Sequence, residues 1–92
     1  MLTKWEMMVK KRELKQVKRA IVKFLKKHRG SYYSEREIAD GLILGNTVSD
    51  KVVCENVHRA LLDLRFSPFN LVRNETVGHD VYTLKDVYTY GY

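Results

Sequence analysis

Cys54 and His58 are the two side chains of this 92-residue sequence whose types and spacing best suit metal chemistry. Four positions apart on a helix they would share one face, and thiolate and imidazole both bind zinc. A zinc site needs at least one further protein ligand, however, and no Cys-x-x-Cys or His-x-x-x-His spacing supplies it. We therefore expect no metal, and we expect Cys54, at the edge of an apolar stripe, to be a small buried hydrophobe.

Catalytic motifs are also missing from the sequence. It has three histidines, but it contains no Gly-x-Ser-x-Gly, no phosphate-binding loop and no cluster of acidic residues. A chain of this length holds about one small domain, with no room for a catalytic module beside a regulatory one. We expect a single domain over residues 1–92 that is not an enzyme and uses neither a cofactor nor a small-molecule ligand.

The net charge of +6 is distributed very unevenly along the chain. Residues 1–30 carry eleven basic and two acidic side chains, whereas residues 31–92 carry six basic and nine acidic ones. This asymmetry points to an anionic partner, either nucleic acid or a lipid surface, which the first third of the chain contacts. No apolar run is long enough to span a bilayer, no signal peptide is visible and one cysteine fits a reducing compartment, so we expect an intracellular, cytoplasmic protein.

The basic third of the chain predicts one long helix from Thr3 to about Arg29. It lacks Gly and Pro and stops at Gly30, a typical residue for a helix C-terminus. At 100° per residue one stripe is apolar and the opposite face is basic. The apolar stripe contains Leu14, Val17, Ile21, Phe24 and Leu25 with Met7 at its edge, and the basic face contains Lys11, Lys15, Lys18, Arg19, Lys23 and Lys26.

Trp5, Met8 and Val9 interrupt this pattern because they lie on the side that is basic further along the helix. A helix of about 26 residues spans roughly 39 Å, which exceeds the core of so small a domain. We therefore expect residues 1–13 to overhang a core formed by residues 14–84 and to form a homodimer interface through these three side chains. Alternatively, they fold back onto the same domain.

Further elements follow Gly30. Ser34 and Glu37 match the Ser-x-x-Glu capping box, which predicts a second helix with Ile38, Ala39 and Leu42 buried and an end at Gly41 or Gly45. Thr47 or Ser49 can cap a third helix that reaches about Arg65. Its apolar side contains Val53, Val57, Ala60, Leu61 and Leu64. A hairpin of residues 70–74 and 80–84 follows, with Gly78 in its turn, and residues 85–92 form a tyrosine-rich tail.

This order of elements resembles the winged helix-turn-helix family of DNA-binding domains. The residues that carry the resemblance are 34–40, 53–64, and the paired segments 71–73 and 81–84. Small proteins of archaea and of their viruses often look like this, and many are dimers. The resemblance implies an α+β, mainly α, fold with a three-helix core, a C-terminal β-hairpin wing and, here, an extended N-terminal helix. The segment 43–50 is longer than the tight turn typical of the family, and Ser67-Pro68-Phe69 replaces a glycine before the wing.

The resemblance also implies that the third helix enters the major groove of double-stranded DNA while the wing contacts the adjacent backbone or minor groove. Base-reading candidates are the residues that face away from the apolar side: Lys51, Glu55, His58 and Arg59. Lys and Arg donate to guanine O6 and N7, and Glu accepts from cytosine N4. Thr47 and Ser49 would bond phosphate oxygens near the helix start. Alternatively, these residues are a solvated helix face of mixed charge.

The distribution of charge differs from that expected for the family, because acidic residues reduce the net positive charge of both the third helix and the wing. Most phosphate contacts must then come from the first helix. The candidates are some of Lys15, Lys18, Arg19, Lys26, Lys27 and Arg29, with Arg73 and His79 in the wing. Alternatively, the basic residues of the first helix only solvate a long helix. The function expected first is a dimeric, sequence-preferring DNA-binding regulator of transcription. The alternatives are a winged-helix module that binds protein, and a basic amphipathic helix on anionic lipid.

Overall fold

A computed structural model describes residues 3–28, 30–45, 48–66 and 72–84 of the chain. Within these ranges, three helices and three short strands follow one another in a mainly helical α+β arrangement. They are α1 (Lys4–Lys27), β1 (Tyr33–Ser34), α2 (Glu35–Leu44), α3 (Asp50–Arg65), β2 (Val72–Thr76) and β3 (Asp80–Leu84). The third helix and the last strand therefore lie where the sequence predicts them.

The first helix, α1, runs without interruption for 24 residues. Thr3 caps the start of α1, where its hydroxyl accepts a hydrogen bond from the backbone N–H of Glu6 at 3.2 Å. His28 caps the end, where its backbone N–H donates to the carbonyl oxygen of Phe24. A positive φ of 91° at Gly30 then turns the chain, as expected for a glycine beyond a helix end. At about 1.5 Å per residue α1 is roughly 36 Å long, nearly the full 40 Å length of the molecule.

The second helix, α2, begins with the predicted capping box. Ser34 Oγ accepts the Glu37 N–H at 3.1 Å, and the Glu37 carboxylate accepts the Ser34 N–H at 2.9 Å. The helix passes through Gly41 and ends at Gly45. Gly41 lies against the ring of Phe24 on α1, because a Cβ at this position would be only 2.5 Å from Cε2 of that ring. This glycine therefore permits close approach of α2 to α1.

The strands form one antiparallel sheet in the order β1-β3-β2. The predicted hairpin is present: Val72 lies opposite Leu84 and Thr76 lies opposite Asp80, with Gly78 at φ 88° in the turn. The first strand of the hairpin continues to Thr76, beyond the predicted end at Asn74, and residues 70 and 71 lie outside the described ranges. Pairing of β1 with β3 adds a third strand to the predicted two.

The core lies between the three helices and the sheet. All five side chains predicted to line the third helix are buried, as are Val17, Ile21 and Leu25 of α1. The other members of the cluster are Ala20, Val22, Ile38, Leu42, Val72, Tyr82 and Leu84, and among the side chains packed against it are Leu14, Phe24 and Ala39. Met7, predicted at the edge of the apolar stripe, is instead exposed, because it lies in the turns of α1 that extend beyond this core.

Candidate nucleic-acid interface

One face of α3 is open to solvent and carries all four predicted base-reading side chains. Lys51, Glu55, His58 and Arg59 are exposed, opposite the buried stripe of the same helix. Cys54 lies on this face too and is exposed. The prediction that Cys54 is buried is therefore wrong. At 100° per residue the buried positions Val53, Val57 and Leu64 are centred about 80° away from Cys54, which places the Cys54 side chain at the boundary with solvent.

Acidic side chains contact two of these four candidates. His58 Nδ1 lies 2.7 Å from Glu35 Oε1 at the start of α2, and Arg59 Nε donates to Asp63 Oδ1 at 3.1 Å. Over its whole length α3 carries three Lys and Arg side chains against three Asp and Glu. Its exposed face is thus rich in hydrogen-bonding groups but has little net attraction for a polyanion.

Lys18 is not on the basic surface where the sequence placed it. Its side chain is only 11% exposed, and its Nζ lies 2.9 Å from Asp63 Oδ2. Because α3 crosses α1 on this side, the helix covers the aliphatic stem of Lys18 while Asp63 neutralises its ammonium group. The prediction that Lys18 lies on the exposed basic face is therefore wrong, and Lys18 instead joins α1 to α3.

A depression of about 380 Å³ lies where the basic face of α1 meets the start of α3. Arg19 and Lys23 line it from α1, and Ser49 lines it from the N-cap position of α3. Gln16, Ala20, Val48 and Val52 complete the lining. The Ser49 side chain makes no capping hydrogen bond, so its hydroxyl can face a ligand. Two predicted phosphate contacts, Ser49 and Arg19, are thereby brought together.

Sequence reasoning did not single out Lys23 or Gln16 for this depression. The available signal was spacing, because Gln16, Arg19 and Lys23 recur at intervals of three and four residues and so share one face of a helix. Which segment lies against that face was not readable from the spacing.

The remaining predicted phosphate contacts lie apart from this depression. Lys15, Lys26 and Lys27 are exposed on α1, and His79 is exposed in the turn of the hairpin. Arg73 is exposed on β2, with its Nε 3.9 Å from Glu75 Oε1. Thr47 and Arg29 lie outside the described residues, as do the predicted tail 85–92 and the segment 67–69.

A second depression, the α1–α3 groove, lies between the N-terminal turns of α1 and the first two turns of α3. Its volume is about 420 Å³, and Trp5 and Val9 line it opposite Val52. Charged residues also line it: Glu6, Lys10, Glu13, Lys51 and Glu55. Trp5 is 68% exposed and Met8 51% exposed, so neither folds back into the core, whereas Val9 is half-buried.

Two titrating groups have displaced pKa values. The pKa of Glu37 is lowered, chiefly because its carboxylate accepts the backbone N–H of Ser34 and also because it bonds the Ser34 hydroxyl. Burial raises the pKa of Tyr82, and the charges of Asp80 and Glu35 raise it further, while Arg65 opposes this shift. Neither group belongs to the exposed face of α3.

Within the described ranges, no group of three or more His, Cys, Asp or Glu side chains is arranged to hold a metal ion. In the same ranges, none of the helices combines the length and the apolar character that crossing a membrane requires. Comparison with family models, with curated proteins and with solved structures finds no match for this chain.

Proposed function

We propose that this chain is a winged-helix protein that binds duplex DNA, with α3 in the major groove and the β2–β3 hairpin as its wing. The observation that carries the proposal is the depression in which Arg19 and Lys23 of the basic helix meet Ser49 at the start of α3. This depression connects the basic face of α1, which carries most of the positive charge, to the N-terminal end of α3, which presents the base-reading side chains. The two surfaces are thus contiguous.

The two helices divide the work of binding. α1 carries ten Lys and Arg side chains against two Glu, so it supplies attraction that does not depend on sequence. Neighbouring phosphates at the depression would accept hydrogen bonds from Arg19, Lys23 and the Ser49 hydroxyl, next to the positive end of the α3 dipole. These contacts fix the register in which Lys51, His58 and Arg59 face base edges. Occupying its site on DNA would let the protein regulate transcription.

The test combines selection of bound duplexes from a random pool with anisotropy titrations at several salt concentrations. Replacing Arg19 and Lys23 by Ala should weaken selected and random duplexes alike and reduce the slope of log K against log salt by up to about 1.8, since each lost phosphate contact contributes roughly 0.9. Replacing Lys51 and Arg59 by Ala should instead reduce the preference for the selected sequence by about 10- to 100-fold.

Lys26→Ala with Lys27→Ala is the matched control, because it removes the same charge from the same exposed helix outside the depression. These two residues are also predicted phosphate contacts, so some weakening on all duplexes is expected. An equal change in salt slope for both pairs would show that the depression has no special role. Absence of duplex binding even at low salt would refute the proposal as a whole.

A second candidate function is a winged-helix module that binds another protein. The observation in its favour is the neutral α3, whose His58 and Arg59 are engaged by Glu35 and Asp63. Under this reading, duplex binding would rest on α1 alone, and Lys51→Ala with Arg59→Ala would leave DNA affinity unchanged.

A further inference from the structure

The α1–α3 groove is open to solvent, and the charges that line it differ from those on the rest of α1. Glu6, Glu13 and Glu55 lie around it, against the basic residues Lys10 and Lys51. Its apolar lining comes from Trp5, Val9 and Val52. The groove is therefore slightly acidic with an apolar floor, in a chain whose net charge is +6.

We infer that this groove is occupied by the N-terminal half of α1 from a second copy of the chain. The groove and this helical segment are complementary in charge and in apolar surface. The turns that form one wall of the groove also expose Trp5 and Met8 beside the basic residues Lys4, Lys11 and Arg12. An apolar segment with basic flanks fits an apolar groove that glutamates border, and the same turns supply both surfaces.

Such an interface closes on itself. When two copies pair through the same turns about a two-fold axis, each α1 lies in the groove of the other, and every contact is made twice. Desolvating two copies of Trp5 provides the kind of buried aromatic anchor that dominates interface energies. The inference does not depend on DNA binding, because the dimer requires only α1 and the first two turns of α3.

The dimer assigns a role to Glu55 other than base reading. Glu55 borders the groove, so in the dimer it faces the basic residues of the second copy. His58 and Arg59 are not among the residues that line the groove, and they stay on the open face of α3.

Sedimentation equilibrium of the full chain, without DNA, tests the inference. The wild-type chain should be a dimer at micromolar concentration, and Trp5→Ala should weaken dimerisation by at least about 30-fold, the cost of losing an anchor residue. Leu44→Ala is the matched control, since Leu44 is an apolar side chain that is 85% exposed at the end of α2 and is not among the residues that line the groove. Circular dichroism checks that each variant keeps its helix content.

Charge reversal provides a second test that does not depend on apolar packing. Glu13→Lys puts a positive charge in the groove, opposite the basic residues of the second copy. Arg12→Glu puts a negative charge on the segment that enters the groove, opposite its glutamates. Each substitution alone should therefore weaken the dimer about tenfold or more. The combined variant restores opposite signs and retains the net charge of the chain, so it should recover most of the affinity. A wild-type chain that is still monomeric at roughly 100 µM, far above the micromolar dissociation constant expected, would overturn the inference. So would a dimer whose dissociation constant changes neither with Trp5→Ala nor with either charge reversal.

Discussion

The ion pair between Lys18 and Asp63 offers the sharpest test of how α3 is attached to α1. Lys18→Met retains the aliphatic stem of the side chain and removes its charge, so Asp63 loses its partner on α1. Asp63 is itself only 24% exposed, and the two charged groups lie 2.9 Å apart. The substitution thus removes one half of a largely desolvated pair, while Arg59 remains on the same carboxylate.

Two reference values bracket the expected effect. Removing one member of a fully buried pair costs about 3–5 kcal/mol, and removing an exposed pair costs about 0–1 kcal/mol. Because Asp63 keeps Arg59 and some solvent, we expect Lys18→Met to lower the free energy of unfolding by about 2 kcal/mol. For a domain of this size that is a fall in Tm of roughly 8–16 °C.

Urea denaturation followed by circular dichroism measures this effect, with a midpoint expected to fall by roughly 1–2 M. Arg59→Ala is the control, because it breaks the exposed contact to the same carboxylate and should cost less than about 0.5 kcal/mol. Lys18→Met combined with Asp63→Leu should recover most of the loss, since no buried charge then lacks a partner. If Lys18→Met costs no more than Arg59→Ala, the ion pair does not hold the two helices together and our reasoning fails.

Four further predictions concern the cap of α2, the close contact between α1 and α2, an exposed thiol and a buried tyrosine. Ser34→Ala should lower the unfolding free energy by about 1 kcal/mol in urea denaturation, because it removes half of the capping box, and no loss would contradict the hydrogen bonds seen. Gly41→Ala should lower the Tm despite alanine's higher helix propensity, because its Cβ would meet the Phe24 ring, and Phe24→Leu in the same chain should relieve part of the loss. Cys54 should react with a thiol reagent in the native protein as fast as in urea, and protection in the native state would contradict its exposure. Since the raised pKa of Tyr82 means that the folded state holds the phenolic proton more tightly, its contribution to stability is complete below pH 10 and is lost as the pH rises further. Tyr82→Phe should therefore make the fall of the urea midpoint above pH 10 shallower, and an unchanged fall would contradict this assignment.

Local patterns in the sequence predicted the helices well because the signals are contained within single elements. The capping box at Ser34 and Glu37 depends on residues three apart, and the buried stripe of α3 depends only on helical periodicity. Both were predicted correctly. The exposure of Lys51, Glu55, His58 and Arg59 follows from the same periodicity.

Predictions that depend on which elements meet were less successful. Helical periodicity placed Lys18 on the solvated face of α1, beside Lys15. The structure shows that α3 crosses α1 at this point and that Asp63 pairs with Lys18. The pairing of His58 with Glu35 joins residues 23 positions apart, and β1 is a strand only because β3 lies beside it. None of these contacts leaves a mark in local sequence periodicity.

The composition of the groove walls links the two proposed binding events. Lys51 belongs both to the exposed face of α3 and to the α1–α3 groove, so a duplex on one surface and a second chain in the other contact the same side chain. Thermodynamic reciprocity then applies: if DNA changes the affinity of the chains for each other by some factor, dimerisation changes the affinity for DNA by the same factor. A coupling of about 1.4 kcal/mol would make that factor tenfold. Protein concentration would then set not only how much of the protein is dimeric but also how tightly each copy holds its site.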